Sequence, residues 1–167
     1  ARIETWANVI IANIFKTLFL LDKEDVEKTH RYAHTIRALQ DLAESYRDII
    51  LRTSEHFENY HSGFTASQKE ELKKIKTYVT RLLWNTSIML LQRKKVDYDY
   101  IASQSKRLNT LAVEFDKNQI SRIQKAETKT RLSILYYSLI EDCLKISNEM
   151  GNLLNIFKDS FKMRKNN

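Results

Sequence analysis

The sequence predicts an all-α protein, an antiparallel helical bundle, and three observations support this. The 167 residues include no Pro and two Gly, which argues against a turn-rich β architecture because its corners need those residues. Apolar side chains recur every three or four residues over long stretches, as the buried face of a helix requires. The segments between these stretches are short, so neighbouring helices are expected to pack antiparallel.

Five helices are expected, and the first two cover the N-terminal third of the chain. The first runs from about Arg2 to Leu21 and the second from about Lys23 to Tyr60, where Asp22 can cap its start. The second helix is expected to bury one stripe, formed by Val26, Ala33, Ile36, Leu39, Ala43, Tyr46 and Ile50.

The remaining three helices follow a break at residues 61–64. Thr65 and Gln68 have the spacing of a capping box, which marks the start of a third helix. A fourth helix is expected to start at Asp97 or Asp99, and a fifth after Thr128. Their expected buried positions are Leu72, Ile75, Val79, Leu82 and Leu90, then Ile101, Leu108, Ala112, Phe115 and Ile123, then Leu132, Leu135, Leu139, Cys143, Ile146, Met150, Leu153 and Phe157.

Cysteine usage and hydropathy indicate a cytosolic setting. The single Cys143 excludes an internal disulfide, and its place on the apolar face of the last helix predicts a core role. The most apolar run, Val9 to Leu21, is shorter than the ~20 residues a spanning helix needs. The chain opens in mid-helix without Met, so it is expected to be a piece of a larger protein.

The formal net charge of +7 is compatible with nucleic acid, an anionic membrane surface or an ordinary basic surface. Nucleic-acid binding is disfavoured, because no basic stripe is interleaved with aromatic platforms. Anionic lipid and an ordinary solvent-exposed face both remain open for the basic residues. The candidate membrane-facing residues are Arg93, Lys94, Lys95, Lys162, Arg164 and Lys165.

No catalytic motif is present: there is no Gly-rich phosphate loop, nucleophile triad or zinc-type Cys/His spacing. The chain is therefore predicted to be a non-enzyme without a cofactor. One polar stripe of the second helix is a candidate metal site. It consists of His30, His34, Asp41, Glu44 and Asp48. The favoured interpretation of that stripe is a solvated face with one-turn ion pairs, such as Arg37 with Asp41. Gly151, inside the last helix, indicates either a close helix approach or a sporadic substitution.

Two segments resemble a family signature. Residues 118–125 resemble a helix-end pattern of PhoU-like domains, and residues 130–137 resemble the opening of the helix that follows it. The family signature, Leu-Glu-Arg-Ile-Gly-Asp-x-x-x-Asn-Ile, is matched loosely by residues 143–153 and by an earlier copy at residues 39–49. The resemblance implies two related three-helix halves in one continuous bundle, a truncated first half at 1–61 and a second at 64–163.

The resemblance also implies a function. Family members carry paired carboxylates that gather metal clusters in some proteins, but only Glu44 survives of the four, so metal binding is not expected. The signature positions here are Gln40, Glu44, Asp48, Leu144, Asn148 and Asn152. The family likeness implies a regulatory tail of a sodium-dependent phosphate transporter on the cytoplasmic side of the bacterial inner membrane. Its partners would be the transporter's own transmembrane domain, with anionic lipid and a second copy as further candidates. The alternative is a free-standing phosphate-signalling adaptor acting on a sensor kinase or an ATP-driven importer.

Overall fold

The computed structural model describes residues 9, 12, 13, 16, 26–92 and 98–162. Over these residues the fold is all-α without strands, which confirms the predicted class, and most of the first predicted helix lies outside them. Val9, Ala12, Asn13 and Lys16 are helical and exposed. The four long described helices are α1 (Val26–Glu58), α2 (Ala66–Gln92), α3 (Tyr98–Gln124) and α4 (Thr130–Lys162).

The start of α2 is fixed by the predicted capping box. The Thr65 backbone N–H donates to Gln68 Oε1 at 2.9 Å, and the Gln68 N–H donates to Thr65 Oγ1 at 3.3 Å. These reciprocal bonds satisfy two amide groups that a helix N-terminus would otherwise leave without partners. The capping box is confirmed.

Two helices end in left-handed residues that are not glycine. Tyr60 and Ala126 both have φ of 54°. The amide of His61 donates to the His56 carbonyl at 3.3 Å, and that of Glu127 donates to the Arg122 carbonyl at 2.9 Å. Such wrap-around bonds are the Schellman pattern at a helix C-terminus. A side chain in this conformation costs conformational energy that glycine does not incur.

The helices run up and down, and α4 touches the other three. It packs against α1, α2 and α3, while α2 and α3 also pack against each other. Antiparallel pairing is visible from side-chain contacts: Arg52 near the end of α1 bonds Asp142 in the first half of α4. Gln119 near the end of α3 bonds Gln68 at the start of α2. Of the described helices, α1 approaches α4 alone, so α2, α3 and α4 form a three-helix bundle with α1 added on one side of α4.

The core confirms most of the predicted stripes of the last three helices. Completely or almost completely buried apolar side chains from these helices are Ile75, Leu82, Met89, Ile101, Leu108, Ala112, Phe115, Tyr136 and Ile146. Cys143 packs against this cluster, and burial, followed by the charge of Asp142, raises the pKa of its thiol to about 11. The thiol is therefore protonated near neutral pH and inert, as a core role requires.

Three predicted core positions are wrong. Ala33, Ile50 and Ile123 are exposed. The buried face of α1 includes Ile36, as predicted, and also carries Ala38, Leu42, Ser45 and His56, which were not predicted. Because α1 meets a single described helix, its buried face is a narrow stripe whose position is set by α4 and includes polar side chains. In α3 the stripe ends on Arg122, so Ile123 faces outward.

Of the two interpretations of Gly151, the close helix approach is not observed. A Cβ added at Gly151 would meet nothing within 4 Å. The residue instead borders an open cavity of about 410 Å³ between α3 and α4 that also touches Leu82 of α2. In the part of the chain that is described, no helix combines the length and apolarity that crossing a bilayer requires.

Replacing a glycine by alanine at one position, and an alanine by glycine at another, should each stabilise the protein. Gly151→Ala should raise the free energy of unfolding by about 0.5–1 kcal/mol, because it removes a glycine from a helix interior without a clash. Ala126→Gly should raise it by about 1 kcal/mol by relieving the left-handed backbone. Urea unfolding followed by circular dichroism measures both. The matched control, Ala102→Gly on the exposed side of α3, should lower stability by a similar amount, and stabilisation by all three variants would contradict the interpretation.

Candidate functional site

The residues proposed as metal ligands are spread along α1 from His30 to Asp48, and His34 and Asp41 border its seam with α4. His30, His34 and Glu44 are exposed. Arg37 pairs with Asp41 at 3.9 Å, which confirms the predicted one-turn ion pair. Within the described ranges, no three His, Cys, Asp or Glu side chains lie close enough together to hold a metal ion.

The six signature positions have different environments. Gln40, Glu44, Asn148 and Asn152 are exposed. Asp48 lies 3.3 Å from an Arg47 nitrogen and 3.6 Å from an Arg52 nitrogen, and Leu144 packs against the core. The two signature-like segments therefore lie on α1 and α4, which pack antiparallel, but their polar side chains do not converge on one point.

A polar groove of about 500 Å³ follows the α1–α4 seam near the start of α1. Its walls include His34, Arg37 and Asp41 on α1 and Asn152 on α4. Asn152 Nδ2 donates to Glu149 Oε2 at 3.1 Å, within the α4 wall. The groove offers hydrogen-bond donors and acceptors, together with side chains of both charges.

The predicted membrane-facing residues fall mainly outside the described part of the chain. Arg93, Lys94, Lys95, Arg164 and Lys165 lie beyond it, and of Lys162 the structure describes the backbone, as the last residue of α4. The lipid-facing interpretation therefore stays a prediction.

A buried carboxylate joins α1 to the centre of α4. Arg52 Nη1 donates to Asp142 Oδ2 at 2.9 Å, and Lys145 Nζ lies 3.8 Å from Asp142 Oδ1. The Asp142 side chain is 1% exposed, whereas Arg52 is 41% exposed. Burial raises the pKa of Asp142 above its ordinary value, although Arg52 and Lys145 oppose this. Arg52 is therefore the chief group that offsets the cost of a buried charge between the two helices.

A larger polar cluster is buried at the end of the bundle where α2 and α4 begin and α3 ends. The Glu71 carboxylate accepts two bonds from the Arg122 guanidinium, 3.1 Å from Nη1 and 2.7 Å from Nη2. It also accepts from Asn118 Nδ2 at 2.8 Å and from the Tyr136 hydroxyl. The Arg122 guanidinium carbon lies 5.2 Å from the centre of the Tyr136 ring, within the range of a cation–π contact.

The cluster continues through uncharged side chains. Gln119 Oε1 accepts from Arg122 Nε at 2.8 Å and from Gln68 Nε2 at 3.0 Å. Gln119 Nε2 donates to Ser133 Oγ at 2.9 Å. Since Gln68 is also half of the capping box, the network links the first turn of α2 to the last turns of α3 and the first turns of α4.

Electrostatics favour the ionised pair in this cluster. Burial alone would raise the pKa of Glu71, but hydrogen bonds from Arg122, Tyr136 and Asn118 outweigh it and hold this pKa below its ordinary value. The same surroundings raise the pKa of Tyr136, first through burial and then through its bond to Glu71. A carboxylate with four donors and a tyrosine that keeps its proton form a structural clamp, not an acid–base pair.

Sequence analysis missed this clamp, although a signal for it exists. Gln68 and Glu71 continue the buried stripe of α2 toward its N-terminus at steps of three and four residues, ahead of Ile75. Gln119 and Arg122 continue the stripe of α3 beyond Phe115 in the same way. Polar residues in register with an apolar stripe, on two antiparallel neighbours, indicate a buried network.

Comparisons with protein-family models, curated proteins and solved structures find no match to this chain.

The clamp should contribute strongly to stability. Glu71→Ala should lower the free energy of unfolding by about 3–5 kcal/mol, because it leaves the Arg122 charge buried without its partner. Thermal unfolding measures the loss, and Glu70→Ala, at the exposed neighbouring position, is the control, with an expected change within about 0.5 kcal/mol. Because the folded pKa of Glu71 is depressed, its contribution is complete above the ordinary pKa of 4.5 and is lost as pH falls through the folded pKa. Equal effects of the two substitutions would contradict the assignment.

Asp142 should show the opposite pH dependence. Its folded pKa is raised, so ionisation opposes folding, and the cost appears as pH rises above the ordinary value of 3.8. Arg52→Ala should therefore destabilise the protein by about 1–3 kcal/mol at pH 7 and by less in acid, where Asp142 is protonated. In an Asp142→Asn background the same Arg52→Ala change should cost little at either pH. A loss of equal size in both backgrounds would show that Arg52 acts by packing alone.

Proposed function

We propose that this chain is a regulatory helical bundle of PhoU-like type, the tail of a sodium-dependent phosphate transporter that acts by protein contacts. The observation that carries the proposal is the placement of the two signature-like segments. Residues 39–49 lie on α1 and residues 143–153 on α4, and these helices pack against each other in antiparallel fashion. The helices α2, α3 and α4 form a complete three-helix unit, and α1 would be part of a second unit beside it. This fits the two related three-helix halves that the family resemblance implies.

The interior of the bundle supports a scaffold role over a catalytic one. Its buried charges are paired across helices: Glu71 with the buried Arg122, and Asp142 with the partly exposed Arg52. Buried pairs of this kind fix the positions of helices, so the surfaces they hold in place are what a partner would meet. Regulation would then come from docking against the transporter on the cytoplasmic side of the membrane.

The outer face of α3 is a candidate contact surface. Val113, Ile120 and Ile123 are 56%, 50% and 46% exposed, and their spacing of seven and three residues puts them on one side of the helix. Clustered exposed apolar side chains are typical of protein interaction sites. The transmembrane domain of the same chain is the partner that the proposal names.

The proposal is tested by phosphate uptake. The full-length transporter that the proposal names would be compared in membrane vesicles with a form that lacks residues 1–167. Deletion should change the rate of sodium-dependent phosphate uptake while leaving the amount of protein in the membrane unchanged. Ile120→Lys in the full-length protein should reproduce part of the change, because it places a charge on the proposed contact face.

Thr77→Lys is the matched control, since it adds the same charge at an exposed position of α2, a helix that carries none of those apolar residues. It should behave like the unaltered protein.

A gene without membrane spans, combined with altered activity of a sensor kinase or an ATP-driven importer, would favour the free-standing adaptor instead. Uptake that is indifferent to both deletion and Ile120→Lys would overturn the transporter proposal.

A further inference from the structure

A small cleft opens where the end of α1 meets the start of α4. It has a volume of about 260 Å³ and is bordered by Arg52, His56, Asn59 and His61 on one side and by Arg131 on the other. Its remaining walls are Glu55, Ile134, Leu135 and Ser138. The cleft is at the opposite end of the α1–α4 seam from the polar groove and shares no residue with it.

Cationic groups outnumber acidic ones in this cleft. Two arginines line it against the single carboxylate of Glu55, together with two histidines, and Lys129 is close enough to act electrostatically on His61. Arg52 is anchored by Asp142 on one side. Arg131, by contrast, has no carboxylate within ion-pair distance in the described part of the chain.

The contact that Arg131 makes instead is informative. Its Nη1 lies 3.0 Å from His61 Nε2. A guanidinium can only donate, so His61 Nε2 must accept and the imidazole must be neutral, with its proton on Nδ1. Loss of water contact, then the charges of Arg131, His56 and Lys129, lower the pKa of His61. The positive charge of Arg131 therefore faces the neutral imidazole of His61 and is not neutralised by a carboxylate.

The orientation of His56 adds to this picture. Its side chain is 7% exposed, and its Nε2 lies 3.0 Å from the Ser62 carbonyl oxygen. Since a carbonyl accepts, Nε2 must carry the proton. This bond fixes the loop after α1, and with it the position of His61 opposite Arg131. The start of α4, one residue before Arg131, adds the positive end of a helix dipole.

We propose that this cleft binds a phosphate-type oxyanion between Arg131 and His61. An oxyanion would accept from the free nitrogens of Arg131 in the two-pronged geometry that guanidinium groups favour. It would also allow His61 to take up a proton and change from an acceptor to a donor. The inference is independent of the proposed transport function, because it depends on the cleft alone and its test uses the isolated chain.

Proton linkage gives the inference a specific signature. The bound anion stabilises protonated His61, so its pKa should rise on binding, and affinity should increase as pH falls through that pKa. The other titratable or charged groups that border the cleft or act on His61 are Arg52, Glu55 and His56 on α1, Lys129 before α4 and Arg131 on α4. NMR of the imidazole carbon protons follows each histidine separately, so the response of His61 is distinguishable from that of His56.

The experiment is a titration of the 167-residue chain with inorganic phosphate at constant ionic strength, using chloride as the reference anion. Saturable shifts of the His61 resonances, with a raised pKa, are expected. Arg131→Gln should weaken the affinity about tenfold or more, since it removes a charged donor. Arg81→Gln, which removes the same charge at an exposed site on α2 outside the cleft, should change the affinity less than about twofold.

A second arm identifies the source of the oxyanion. Vesicles that contain phosphatidic acid would be compared with neutral vesicles, using the same two variants. Binding to free phosphate, or to the acidic vesicles, that is lost in Arg131→Gln and kept in Arg81→Gln supports the site and assigns its source. Equal weakening by both variants would reduce the effect to overall charge and overturn the proposal. The proposal would also be overturned if free phosphate caused no saturable shift at His61 and the acidic vesicles showed no binding that depends on Arg131.

Discussion

The constraint on which the rest of the structure depends is the burial of α4 on three sides. A helix with neighbours on three sides must present apolar side chains over much more of its circumference than one stripe. Accordingly α4 buries adjacent pairs as well as residues three and four apart. The pairs Leu135–Tyr136, Leu139–Ile140 and Leu153–Leu154 are all buried. With α4 removed, α1 would lose its neighbour among the described helices, and α2 and α3 would keep only each other.

Polar groups in the interior are tolerated according to how well they are paired. Glu71 and Arg122 are both buried, and each is bonded to the other and to further side chains. Thr86 is the contrast: its hydroxyl is buried and, among the described residues, is the side-chain group without a hydrogen-bond partner. An unpaired hydroxyl costs free energy but leaves packing intact, whereas an unpaired charge at Glu71 would not be tolerated.

Local signals in the sequence predicted the parts of the fold that depend on local physics. The capping box at Thr65 and Gln68 spans one turn, and the Arg37–Asp41 pair spans another. Both could be predicted because their partners are set by helix geometry alone. The face that α1 buries could not, since a helix with apolar residues on several sides takes its orientation from whatever it packs against. Ile50 is exposed for this reason, and Ser45 is buried.

The candidate sites depend on long-range pairing to a still greater degree. Glu71 and Arg122 are 51 residues apart, and Arg52 and Asp142 are 90 apart. The periodicity of a single helix does not indicate which residue of another helix will be the partner. The buried polar residues at 68, 71, 119 and 122 were nevertheless in register with predicted stripes, so following each stripe into its polar ends would have predicted the clamp. The pair of Arg52 with Asp142 is harder to predict from the sequence, because Arg52 lies at the border between the buried and the exposed face of α1.

The α1–α4 seam connects stability to the proposed activity. Because α1 approaches only α4 among the described helices, its attachment depends on one narrow stripe and on the Arg52–Asp142 pair. Part of the stabilisation from that pair is cancelled by the cost of burying Asp142. The cleft next to this pair is lined by His56 from α1, His61 from the following loop and Arg131 from α4. An anion held there would bridge both helices and favour the docked position of α1 by its own binding free energy. The polar groove at the other end of the seam contains residues of the same two helices, so its shape would change with the docking of α1.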